Sequence, residues 1–185
     1  MALLEILKYP DPRLARKCSP VERVDDEIRQ LIDDMLETMY AAEGVGLAAA
    51  QVGVTKRIIV LDCAQERDEE GKLKNQQPYA IINPVITHKE GDIVWEEGCL
   101  SVPEYVDEVE RARKVVCEGL DREGNPLRIE AEDLLAVCLQ HEIDHLEGVL
   151  FVDRLSRLKQ SLVKKKLKKR AAERASGHDE EEASV

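Results

Sequence analysis

A chain of 185 residues with 43% hydrophobic and 35% charged residues fits one domain that buries its own core without disulfide staples, and no apolar run approaches the roughly 20 residues of a membrane span. The five cysteines are an odd number without paired spacing, and the start MALLEILKYPDPRLARK lacks a cationic segment followed by a long apolar run, so a reducing, cytoplasmic setting is expected. The formal charge of −11 is uneven: residues 154–174 carry ten Lys or Arg and one acid, residues 175–185 a local −4, and residues 1–153 the remaining −16. Such an acidic body argues against broad nucleic-acid binding and leaves the basic segment for a local anionic contact.

In chain order, Ile28, Leu31, Ile32, Met35, Leu36, Met39 and Tyr40 recur at helical spacing and predict an amphipathic helix from Asp25 to Glu43, ended by Gly44 and Gly46. Leu47 to Gln51 reads as a loop or short turn, Arg57 to Leu61 as a buried strand, and Gln65 to Gln77 as a charged surface loop. Strands are expected at Ala80–Thr87, Asp92–Trp95, Lys114–Leu120 and Leu127–Glu130, the last two joined by a turn at Asp121–Asn125. A helix opened by Glu132 and Asp133 and stopped by Gly148 follows, then a terminal helix spaced by Leu155, Leu158, Leu162 and Leu167. Strands grouped ahead of a buried helix, without βαβ alternation, indicate an α+β fold. In it, mixed or antiparallel strands pack around a central metal-binding helix, with a C-terminal helix beyond.

That central helix carries His141-Glu142-Ile143-Asp144-His145, which sets two imidazoles one turn apart on one face with a carboxylate beside them: two metal ligands and a general base. A hydrolytic metal needs a third protein ligand and an open position. The pattern His-Glu-x-x-His-x-x-Gly-x-x-His would place its last ligand at Phe151, which cannot bind a metal; Glu147 points around the helix, and Glu173 sits in a lysine-rich run. Upstream, Cys99 lies in Glu96-Glu97-Gly98-Cys99-Leu100-Ser101, at the end of the apolar stretch Ile93-Val94-Trp95. A thiolate with two imidazoles suits Zn²⁺ or Fe²⁺. The expected ligands are Cys99, His141 and His145, with Glu142 as base and acid, while Cys18, Cys63 and Cys117 read as plain buried thiols.

Three blocks in order, Gly44-Val45-Gly46-Leu47-Ala48-Ala49-Ala50-Gln51, Glu97-Gly98-Cys99-Leu100-Ser101 and Gln140-His141-Glu142-Ile143-Asp144-His145-Leu146-Glu147-Gly148, resemble the bacterial peptide deformylases over residues 1–158. The resemblance implies a metallohydrolase that removes the N-formyl group from the N-terminal methionine of new proteins and releases formate. It implies Fe²⁺ as the ion, with Zn²⁺, Ni²⁺ or Co²⁺ able to replace it, and N-formylmethionyl nascent peptides as partners. It further implies that the Gln51 amide and the Leu100 N–H bind the oxyanion, and that Gly46, otherwise an ordinary turn glycine, meets the peptide backbone. Val45, Leu134, Val137 and Cys138 are expected to line an apolar methionine pocket.

Glu97 and Arg111 read either as a pair steadying the ligand loop or as two solvated charges. Several members of the family carry an arginine shortly after the cysteine block; here the ungapped position is Val106. The chain thus divides into a catalytic domain (1–158), a basic helical extension (159–176) and an acidic disordered tail (177–185). The extension is either a solvated charged face or a docking surface for the phosphate-rich ribosome.

Overall fold

The computed structural model describes residues 2–182. Helix α1 (Asp26–Ala41) begins where the Asp25 carboxylate accepts the Ile28 N–H at 3.1 Å, a cap reinforced by Asp26 and Glu27 in the first turn. An antiparallel sheet then assembles from β1 (Gly46–Ala48), β2 (Ile58–Leu61), β5 (Tyr79–Cys99), β6 (Val102–Leu120) and β7 (Pro126–Glu132), paired in that order; β3 (Glu66–Arg67) and β4 (Leu73–Lys74) form a separate small hairpin. Helix α2 (Asp133–Leu146) follows β7 directly, and α3 (Arg157–Glu182) closes the chain.

Strand β2 shows how the layers are built. Its four residues are all buried, and the pleat sends Ile58 and Val60 to α1, where they meet Ile28, Ile32, Met35 and Met39, while Ile59 and Leu61 face Leu139 and Leu146 of α2. A strand covered on both faces reads as an unbroken apolar run, which is why Arg57–Leu61 was legible. The α2 helix is thus pressed onto the sheet, with nine of its residues buried. The expected α+β architecture, with a central helix and a C-terminal one, is the one observed.

Several local expectations need correction. Ala80–Thr87 and Asp92–Trp95 are parts of the single strand β5, and Val102–Arg113, assigned no element from the sequence, completes β6. The two run as one long hairpin whose register shifts at Ile82/Val85, Ile86/His88 and Gly98/Cys99 bend it, and these shifts disrupt the alternation from which strands are read. Leu47–Gln51 is not wholly loop: β1 is its first part and a 3-10 turn, Ala49–Val52, its second. Within Gln65–Gln77 lies the β3–β4 hairpin.

The face of α3 also differs from expectation. Leu158 and Leu162 are 73% and 62% exposed, whereas Val163 and Leu167 are 7% and 3% exposed and pack on Val102, Val109 and Phe151. Both pairs are four apart, so spacing alone cannot choose between them. The choice is made by Lys164 on Asp153 (2.6 Å), Lys159 on Asp107 (2.6 Å) and the Gln160 amide on the carbonyls of Asp153 and Leu155. The helix runs through Gly177 to Glu182, into the stretch expected to be disordered, because one glycine costs only about 1 kcal/mol in a run rich in Ala and Glu. Residues 183–185 lie outside the described residues. Among those described, no helix is long and apolar enough to cross a membrane.

Candidate metal centre

Helix α2 brings His141 and His145 together as their spacing requires, with Nε2 atoms 3.2 Å apart; Gly148, at φ 74°, ends the helix just beyond them. Cys99 arrives from the last position of β5. Opposite it, Gly98 pairs with Val106 but Cys99 pairs with Val102, so residues 103–105 are looped out and the thiol sits at the corner of a two-residue turn, Leu100-Ser101. Its Sγ lies 3.4 Å from His145 Nε2, and the three donor atoms all fall within 4.8 Å of one another. Donors sharing one tetrahedral cation stand roughly 3.3–3.6 Å apart, given bonds of about 2.0–2.3 Å. The separations and the chemistry of the donor set therefore fit a divalent metal.

Behind this cluster the wall is ionic. His141 Nδ1 meets Glu97 Oε1 at 2.8 Å, leaving Nε2 for the cluster. Arg111 holds Glu97 through Nε (2.8 Å) and Nη2 (2.9 Å) and reaches Asp144 through Nη1 (2.7 Å), while Arg154 takes the other oxygen of Asp144 at 2.6 Å. Glu97 and Arg111 are each 4% exposed at the side chain, so the reading of two solvated charges is set aside. Burial alone would raise the Glu97 carboxyl, but its bonds to Arg111 and His141 outweigh it and hold the group below its ordinary range. Burial would likewise lower His141, yet its bonds to Cys99 and Glu97 lift it well above the usual imidazole value. Burial, then the charges of His141 and Arg111, hold His145 well below.

Glu142 occupies the opposite environment. It is buried, Oε2 has no partner among the described residues, and Oε1 lies 4.0 Å from His141 Nε2. Burial, with the charges of Glu97 and Asp144 set against those of His141 and Arg111, raises its pKa to about 7. A Cβ on Gly46 would stand 2.5 Å from Glu142 Oε1, so the glycine, the first residue of β1, makes room for the carboxylate.

These groups open into a cleft of about 630 Å³ that also contains Val45, Gly46, Leu100, Leu134, Val137 and Cys138. Gln51 is oriented by its own loop: Oε1 accepts the Ala48 N–H at 2.9 Å, which turns Nε2 toward Ser101 Oγ (3.1 Å) and Cys99 Sγ (3.5 Å). Cys138 shares a hydrogen bond with Cys63, which together with burial pushes the Cys138 thiol up. Gln51, Cys99, Leu100, His141, Glu142 and His145 thus meet at one place, although Gln51 and Cys99 are 48 residues apart and Cys99 and His145 are 46 apart.

The sequence profile of the family described as "Polypeptide deformylase" matches residues 3–161. The chain is 56% identical over 169 residues to a peptide deformylase of Alkalilimnicola ehrlichii, covering 91% of each, and 53% identical over 170 residues to one of Neisseria meningitidis, covering 92% of this chain and 97% of that one. Its structure is similar to that of a peptide deformylase from Legionella pneumophila (TM-score 0.82, 47% identity, 94% of this chain and 98% of the other). It is also similar to one from Ehrlichia chaffeensis in complex with actinonin (TM-score 0.83, 46% identity, 92% and 98%). The chain belongs to the polypeptide deformylase family. Deformylation of N-formyl-methionine is the activity of that family, and its members are metal-dependent hydrolases.

Sequence reasoning missed several residues of this deformylase cleft: Lys8, Trp95, Pro103, Glu104 and Tyr105 line it, and Asp144 and Arg154 extend the ionic wall. Asp144 was within reach, since it lies three residues after His141 in the motif itself. Lys8 and Tyr105 carry no local signal. Val106 does line the cleft, 56% exposed, where several deformylases carry arginine, and Lys8 is the one Lys or Arg among the lining residues described.

Proposed function

We propose that Cys99, His141 and His145 hold one Fe²⁺, replaceable by Zn²⁺, Ni²⁺ or Co²⁺, and that Glu142 is the proton carrier of deformylation. When bound, such a cation supplies Lewis acidity, polarising the formyl carbonyl and making a water acidic enough to attack near neutral pH. Val45, Leu134, Val137 and Cys138 receive the methionine side chain, and Gly46 lets the peptide backbone approach β1. Glu142 takes the water proton as the carbonyl carbon is attacked. The oxyanion then accepts hydrogen bonds from Gln51 Nε2 and the Leu100 N–H, donors fixed before charge develops. Glu142 returns the proton to the departing amine, and formate and a free methionyl N-terminus result.

The observation that carries this reading is the buried Glu142 oxygen, without a partner among the described residues, beside the ligand cluster, on a carboxyl whose pKa is raised to about 7, where it can both accept and donate a proton. The thiolate is the soft member of the ligand set and favours a transition metal over Mg²⁺ or Ca²⁺. Residues 1–158 form the catalytic unit and 159–176 a basic extension ahead of an acidic tail. The exposed lysines of that extension offer an electrostatic contact to the ribosome, where formylated chains emerge in the cytoplasm. The test is formate release from a formyl-methionyl peptide, with metal content measured on the same anaerobic sample. Wild type should carry about one ion and turn over, and Cys99→Ala should lose both; retention of both would remove Cys99 from the ligand set.

A further inference from the structure

The two groups assigned to the oxyanion come from loops about 50 residues apart, and one short segment near the start of the chain is bonded to both loops. Leu7 N–H donates to the Gln51 carbonyl at 2.7 Å, Lys8 Nζ donates to the Leu100 carbonyl at 2.8 Å, and Tyr9 N–H donates to the Ser101 carbonyl at 2.8 Å. Leu7, Gln51 and Ser101 are all buried, so two of these bonds are shielded from water. Three successive residues thus bridge the Gln51 loop and the Leu100-Ser101 turn, beside the direct bond from Gln51 Nε2 to Ser101 Oγ.

We propose that Leu7-Lys8-Tyr9 is a strap that positions the oxyanion donors, and that Lys8 is its side-chain positioning residue, acting through the Leu100 peptide. The inference rests on Gln51 Nε2 and the Leu100 N–H being those donors. An ammonium on the Leu100 carbonyl, beside the Tyr9 bond to the Ser101 carbonyl, anchors the two-residue turn that carries the Leu100 N–H and limits how far that turn can shift relative to Gln51. Misdirecting a donor weakens an interaction made as charge develops, which lowers turnover and leaves ground-state binding in place. Among the described lining residues, Lys8 also brings the only Lys or Arg charge to a cleft that holds Glu43, Glu96, Glu97, Glu104 and Glu142.

The experiment uses the metal-loaded full chain and a formyl-methionyl tripeptide, with Lys8→Met, Lys8→Arg and Gln51→Leu compared to wild type for kcat, KM, metal content and thermal unfolding. Lys8→Met keeps the stem and removes the ammonium. It should lower kcat roughly three- to tenfold with KM within about twofold, at unchanged metal content and melting temperature, and Lys8→Arg should recover most of the loss. An unchanged kcat in Lys8→Met, beside a slow Gln51→Leu, would overturn the strap alone. A raised KM at wild-type kcat would make Lys8 a peptide contact and also overturn it. A wild-type kcat in Gln51→Leu would instead overturn the oxyanion assignment on which the strap rests.

Discussion

Helices α2 and α3 are built on opposite terms. In α2 nine residues are buried, and His141 and Asp144 are tied into the ionic wall of Glu97, Arg111 and Arg154; in α3, more than ten residues longer, Val163 and Leu167 alone are buried among the described side chains, and most of the others are charged or small, with Leu158 and Leu162 exposed. The chemistry proposed for Glu142 needs a dry site held in one geometry, and the packing and ion pairs of α2 provide one. Helix α3 is held by a small anchor, Val163, Leu167 and the bonds to Asp107 and Asp153, which leaves most of its charged side chains in solvent.

The sharpest way to break this comparison is at the ionic wall. Glu97→Gln leaves Arg111 buried with one carboxylate fewer, and should destabilise the protein by about 3 kcal/mol at neutral pH. Because the Glu97 carboxyl is lowered in the folded protein, its contribution is full above the unfolded value of about 4.3 and is lost as pH falls through the folded one. Denaturant unfolding of both proteins from pH 7 to pH 3 should therefore show a gap that closes in acid. A gap independent of pH would mean that the charge is not what stabilises.

Next comes α3 itself. Leu167→Ala should cost about 2 kcal/mol, while Leu158→Ser should stay within about 0.5 kcal/mol, since one is buried and the other exposed. Equal costs would restore the leucine stripe expected from spacing. The smallest effect on catalysis belongs to the triple reversal Lys165→Glu, Lys168→Glu and Lys169→Glu, all exposed positions. Short-peptide turnover should remain at wild-type level, while co-sedimentation with ribosomes at low salt should fall. Undiminished co-sedimentation would reduce these lysines to a solvated face.

How legible each region was follows from where its constraints lie. The two histidines and Glu142 share a helix, so their spacing alone predicted their geometry, and Cys99 followed from the need for one more ligand. β5 and β6 were read in fragments because their bulges interrupt alternation. The packed face of α3 is chosen by Asp107 and Asp153, partners that a helical period does not encode. Lys8 was invisible for the same reason: its contact is with a carbonyl 92 residues away. Local chemistry can be read along a chain, whereas contacts that tie distant loops together emerge only with the fold.

The central claim is that α2 holds the metal ligands and the proton carrier as separable functions. Glu142→Gln, which keeps the shape of the side chain and removes its acid–base chemistry, tests it most directly. With metal content and formate release measured on one anaerobic preparation, the variant should be folded and carry a full complement of metal, with turnover lowered by at least about a hundredfold. A variant that kept its metal and turned over near the wild-type rate would contradict the assignment, and so would one that lost its metal.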